Sequence, residues 1–276
     1  MKLKNLFTAA ILTATLVSCG NDGTNDETLG ETSDTANAKT IEKQKISAQN
    51  VFNSIPGPTE LGKLVDEAGL DYDAALLNNP DDVNKYLSDN FKALNLGVYG
   101  ADMAYANIHQ QSQESMLFLK CVNSLCKSLG IAGVFDEKTV DRLEANKDNK
   151  DSLLTIINKS FLQADQFLRD NQRPHTSSLM VAGGWIEGLY LSAKVGTQSK
   201  SKKFIKKMSE QNQSLTDLIT LVETAHVTGG GTFILEGLKD LKTSYAKIPS
   251  NMTMKDSMLT EIDQKVSALR KKIILQ

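Results

Sequence analysis

Two acids stand where helices should be apolar. Glu187 sits in "LMVAGGWIEGLYLSA" (179–193) beside Trp185, the only tryptophan of the chain. Asp102 sits in "ALNLGVYGADMAYA" (93–106) among Leu96, Val98, Met103 and Ala104. An unpaired carboxylate in such surroundings costs several kcal/mol, so each needs a partner or a raised pKa. Helical spacing suggests what stands nearby. Asp102, Tyr105 and His109 fall at i, i+3 and i+7 of one face, and Glu187, Tyr190 and Lys194 repeat the pattern. Acid, phenol and base in a row could line a ligand cleft or a proton-handling site. The same row equally makes a hydrogen-bond network tying two central helices together, with His109 and Lys194 at its exposed ends. The network is the favoured reading, because structural ion pairs perturb acids too.

Other chemistries find less to work with. Glu223 and His226 form a Glu-x-x-His pair, but di-iron bundles need two copies and two further glutamates. No metal site and no cofactor is therefore expected. Cys121 and Cys126, five residues apart on one helix, point about 140° away from each other. That geometry disfavours a disulfide and suits two buried thiols. The chain has no G-x-S-x-G elbow, P-loop or HExxH. Gly229-Gly230-Gly231 follows no strand and reads as a hinge. "KSKKFIKK" (200–207) is a solvated basic face that could also meet anionic lipid headgroups. No catalytic residue is assigned.

The N-terminus carries a more specific signal. Lys2 and Lys4 precede an apolar run from Leu6 to Leu16, which is too short to span a bilayer. It ends in Leu16-Val17-Ser18-Cys19-Gly20, which resembles the lipobox of bacterial lipoproteins. The resemblance implies a signal peptide over 1–18, cleavage before Cys19 and acylation of that cysteine. Two or three acyl chains would hold the protein firmly at a membrane. Gly20 at the next position, rather than Asp, favours the outer membrane.

Residues 19–38 form a tether: "GNDGTNDETLGETSDTANA" is acidic, polar and unable to bury enough surface to fold. It resembles cell-surface export signals loosely, so both the periplasmic face and the cell surface remain open. The whole chain holds 31 basic and 33 acidic side chains, a formal charge of -2. Loss of residues 1–18 removes Lys2 and Lys4, leaving 29 against 33, or -4. Such a balance offers no phosphate-binding surface, so no nucleic-acid partner is expected.

The elements that must position the acids are helices. Aromatics make up 6% of the chain and there are 5 prolines, a composition that favours helical over β architecture. Ile41, Ala48, Val51 and Phe52 suit the apolar side of a first helix, which "SIPGP" ends. A short second helix runs from Pro58 to Gly69. Asn79 and Pro80 read as N-cap and first residue of the next. Apolar periodicity then predicts helices over 80–109, 112–129, 136–146, 150–171, 175–195, 202–227, 232–247 and 253–274. Stops fall at Gly130, Asn171 with Pro174, Gly196, the triple glycine and Pro249. Gly183, Gly184 and Gly188 weaken their own helix, and close approach of a neighbour is the usual reason. The segments at 96–106 and 183–193 echo one another, as a duplicated hairpin would or as two central helices meeting one packing problem.

"IPGPTEL", "ALNLGVYGADMAYA" and "AGGWIEGLYL" resemble segments of a family of envelope lipoproteins from Bacteroidetes-type bacteria, over most of residues 50–200. The resemblance implies a helical envelope lipoprotein and carries with it no activity, substrate or catalytic residue. The expectation is an all-α multi-helix bundle of about eight to ten helices over 39–276, after a disordered tether. Its expected role is a non-catalytic binding or scaffolding module at the outer membrane, held through lipid on Cys19 and facing an envelope protein partner. The rival is a small-ligand or enzymatic cleft built on Asp102, Tyr105, His109, Glu187 and Tyr190. A deep pocket lined by these residues would favour the rival, and a dry network the scaffold.

Overall fold

The computed structural model describes residue 39, residues 42–43, 45–51, 69, 71–134, 137–249 and 253–275. The signal segment, Cys19, the tether and the helix expected from Pro58 lie outside the described residues. The compact unit described below falls within Ala38–Gln276. The protein is all-α. Among the described residues no strand occurs, and a helical stretch at 45–51 precedes nine α-helices. These are α1 Asp89–Ile108, α2 Ser112–Ser128, α3 Glu137–Ala145, α4 Lys150–Asp170, α5 Pro174–Ser199, α6 Lys202–Ser209, α7 Asn212–Thr224, α8 Thr232–Tyr245 and α9 Asp256–Ile274.

Caps and turn residues explain several of the boundaries. Ser88 and Ser201 accept from the Phe91 and Phe204 amides, and Asn149 from Ser152 at 3.0 Å, each satisfying a donor that the first turn leaves without a partner. Pro174 opens α5 at the position where its missing N–H costs nothing. Gly130, with φ +71°, follows the end of α2.

Three boundaries differ from the periodicity. Pro80–Asn84 is a separate 3-10 turn capped by Asn79, and the long helix begins only at Asp89. The chain between them is anchored elsewhere: Tyr86 is buried, and its hydroxyl accepts from Asn78 Nδ2 at 2.9 Å. Residues 202–227 break at Glu210–Gln211 into α6 and α7. The break is sealed from outside, since Tyr245 Oη donates to the Met208 carbonyl at 3.2 Å. It also lets Phe204 and Met208 on one piece, and Leu215 and Leu218 on the other, all reach the core. Gly196 does not stop α5, which runs on until Lys200 turns left-handed at φ 53°. A Cβ at Gly196 would stand 3.2 Å from Met208 Sδ and 3.5 Å from Leu259 Cδ2, so this glycine serves packing rather than termination.

The helices α1 and α5 form the centre, with α2, α4 and α9 packed around them. Their crossing is a backbone contact. A Cβ on Gly183 would overlap the Leu94 carbonyl, and one on Gly97 the Met180 carbonyl and the Gly184 amide. The two echoing sequence segments are therefore the two halves of one crossing, each supplying the glycine that the other helix needs.

Candidate functional site

The crossing brings Asp102 and Glu187 together. Both are 0% exposed, and each carboxyl lies within the electrostatic influence of the other. Arg270 of α9 completes the group: its Nε donates to Glu187 Oε2 at 2.6 Å and its Nη2 to the Leu76 carbonyl at 3.0 Å. Asp102 Oδ2 accepts from the Asn78 backbone amide at 3.1 Å. The remaining oxygens, Asp102 Oδ1 and Glu187 Oε1, are buried without a hydrogen-bond partner. Two neighbouring buried carboxyls facing one guanidinium are relieved when one of them carries a proton.

The electrostatics place that proton. Burial raises the Asp102 carboxyl well above the usual carboxylate range, the Glu187 charge raises it further, and Arg270 pulls it back only in part. Burial raises Glu187 as well, but the Arg270 guanidinium directly against it works the other way. These directions make Asp102 the neutral acid beside an ionised Glu187 that is neutralised by Arg270. Such an unequal pair could in principle serve as acid and base. Here it is sealed on every side, with Arg270 itself only 7% exposed. The loop at 76–79 forms the lid, tied down at Leu76 and Asn78 and by Tyr99 Oη, which donates to the Asn79 carbonyl at 2.8 Å.

The other polar candidates diverge from this pair. The Arg270 guanidinium lies 4.3 Å from the Tyr190 ring centre, and Lys194 Nζ lies 5.3 Å from it. Lys194 also pairs with Asp263 at 2.8 Å. Glu187, Tyr190 and Lys194 thus form a ladder from α5 to α9. Tyr105 and His109 face away from it: their rings lie 4.5 Å apart and both meet Tyr72, at 5.7 and 5.9 Å. Glu223 pairs with Lys239 at 2.6 Å, and His226 follows the end of α7 at φ 50°. Among the described residues no group of metal-ligating side chains assembles.

Sequence reasoning did not single out Arg270, nor the second buried ion pair, where Arg169 Nε and Nη2 reach Asp165 at 2.9 and 2.7 Å and Ser177 joins both. Cys121 and Cys126 are buried free thiols, pushed up by burial to about 11 and about 12.

Concavity lies elsewhere. A cavity of about 230 Å³ opens beside the glycine-rich flank of α1 and α5, walled by α4 and α6. Of the candidate polar residues only Tyr105 reaches its lining. Trp185 closes one side, held by its indole N–H donating to Ser214 Oγ at 2.8 Å. A Cβ on Gly188 would meet nothing within 4 Å, so this glycine leaves the cavity floor open.

The fold and site together define an all-α domain with a buried carboxyl–arginine centre and a separate apolar cavity. No protein-family model, curated protein or solved structure matches the chain.

Proposed function

We propose that this chain is a bacterial envelope lipoprotein, anchored at the outer membrane through acyl groups on Cys19, whose helical domain is a non-catalytic binding module. The observation that carries the reading is the ordered N-terminal signal: Lys2 and Lys4, the apolar run Leu6–Leu16, then Leu16-Val17-Ser18-Cys19-Gly20. An acidic polar tether behind such a cysteine would hold a folded domain clear of the bilayer. Among the described residues no helix is long and apolar enough to cross a membrane. What supports the non-catalytic half is the geometry of the acids. A catalytic group must reach hydrogen-bond distance of its substrate, whereas Asp102 and Glu187 are fully enclosed and their polar atoms face each other, Arg270 and Asn78. Their work is to fix the α1–α5–α9 crossing.

The test is metabolic labelling with a fatty-acid analogue, with fractionation of the envelope. Wild type should be labelled, processed and recovered with outer-membrane material. Cys19→Ser should accumulate as an unlabelled precursor. Normal maturation and labelling of that variant would refute the anchor.

A further inference from the structure

We infer that the cavity beside Trp185 is a binding site for a single-chain amphiphile with an anionic headgroup, the long-chain carboxylates being the simplest case. The inference names the ligand class of the binding module proposed above and rests on that reading.

The cavity's size and walls carry the first half of the argument. Protein interiors are close-packed, and an apolar cavity of about 150 Å³ already accepts a guest the size of benzene. This cavity measures about 230 Å³, and Ile157, Phe161, Met180, Leu189 and Phe204 contribute to an almost wholly apolar lining. The glycines make the opening rather than fill it. A Cβ on Gly188 would enter open space, and Gly184, Gly188 and Ser192 rise one turn apart along the floor. On that scale the slot takes roughly nine carbons of a flexible chain lying along the helix, and the rest of a longer chain leaves through its open side.

The polar rim carries the second half. Lys207 and Gln211, both half-buried, belong to the lining. Lys207 is one of five lysines in residues 200–209, a run without an acid. It pairs with Glu210 at 3.4 Å, and an ammonium can donate to more than one oxygen. An apolar slot with positive potential at its rim selects a tail with a negative head over a neutral or cationic one.

The single tryptophan provides the readout. The full chain carrying Cys19→Ser, which has no lipid of its own, is titrated with nitroxide-labelled stearate below its micelle concentration. Trp185 emission should quench saturably. The matching alcohol should compete more weakly than stearate, and an alkyltrimethylammonium of equal length more weakly still. Gly188→Phe, whose Cβ enters open space and whose ring would occupy the floor, should abolish saturable quenching while keeping the helical spectrum. Lys207→Glu should weaken stearate about tenfold, the scale of one charge-assisted contact, and leave the alcohol unchanged. Quenching that persists in folded Gly188→Phe would overturn the site. No saturable quenching in the Cys19→Ser protein would overturn the ligand class, and equal affinity for all three heads would overturn the role of the basic rim. Labelling of Cys19 in wild type is read separately, so loss of the amphiphile site and loss of the anchor are distinguishable outcomes.

Discussion

Replacing each central acid by its amide asks where the shared proton resides. Asp102→Asn keeps a neutral group of the same shape: its amide N–H can donate to Glu187 Oε1, and its carbonyl can accept from the Asn78 amide as Asp102 Oδ2 does at 3.1 Å. Glu187→Gln instead leaves the Arg270 charge, 7% exposed, without its counter-ion. Removing one partner of a buried pair costs about 3–5 kcal/mol. For a domain of this size each kcal/mol moves the melting point by about 2–4 °C, so Glu187→Gln should melt roughly 10 °C low. Asp102→Asn should stay close to wild type in mild acid. The pH dependence supplies the sharper contrast. Burial raises the folded pKa of Asp102 well above the ordinary carboxylate range, so the native state holds a proton that the unfolded chain gives up. That contribution is fully present below the unfolded value and is lost as pH rises toward and through the folded one. One such proton corresponds to about 1.4 kcal/mol per pH unit. Wild type should therefore lose melting point as pH rises above the ordinary carboxylate range, and Asp102→Asn should remove that slope. Circular dichroism melts at 222 nm across the range measure both. An unchanged slope in Asp102→Asn, or a tolerated Glu187→Gln beside a costly Asp102→Asn, would put the proton on Glu187 and refute the assignment.

The glycines divide by what surrounds them. Gly188→Ala should raise the melting point by about 2–4 °C, since its Cβ enters open space and alanine gains about 1 kcal/mol in a helix interior. Gly183→Ala should lower it by more than that, because the Leu94 carbonyl lies where the methyl must go and overpacking costs about 1–3 kcal/mol. The reverse order would mean that the α1–α5 contact is loose. Cys121 and Cys126 should react with a thiol reagent at pH 8 only as fast as the protein unfolds, because burial keeps both protonated; rapid labelling of the native chain would contradict the burial. Arg169→Met should cost about 3–5 kcal/mol by leaving buried Asp165 unpaired. Lys247→Met, in an exposed pair with Glu261, should cost under about 1 kcal/mol in the same melts.

What the sequence made legible, and what it hid, follows from the range of the interactions. The helices α2, α4 and α8 and the start of α5 could be read because apolar periodicity, the Asn149 cap and Pro174 act within a few residues. The break at Glu210–Gln211 could not: no glycine or proline marks it, and the groups that settle it, Tyr245 on the Met208 carbonyl and the core beneath Phe204 and Leu215, come from distant chain. The acids obey the same division. That Glu187 needed a partner follows from its apolar neighbours, but the partner lies 83 residues away, and the i+3 and i+7 positions on its own helix supplied only the nearest polar names. Lys194 was close in sequence and turned to Asp263 instead. A signal for Arg270 did exist. It falls four residues after Val266 and three before Ile273, inside the buried row of Leu259, Ile262, Val266 and Ile273. It is also one of only four arginines among 31 basic residues, and two of those four, Arg169 and Arg270, prove to be the buried cations. Guanidinium is less strongly hydrated than ammonium and forks to two acceptors, so a chain that covers its surface with lysine reserves arginine for positions that must be dry. In a lysine-rich helical protein, a rare arginine on an apolar stripe is the residue to pair with an acid stranded on another.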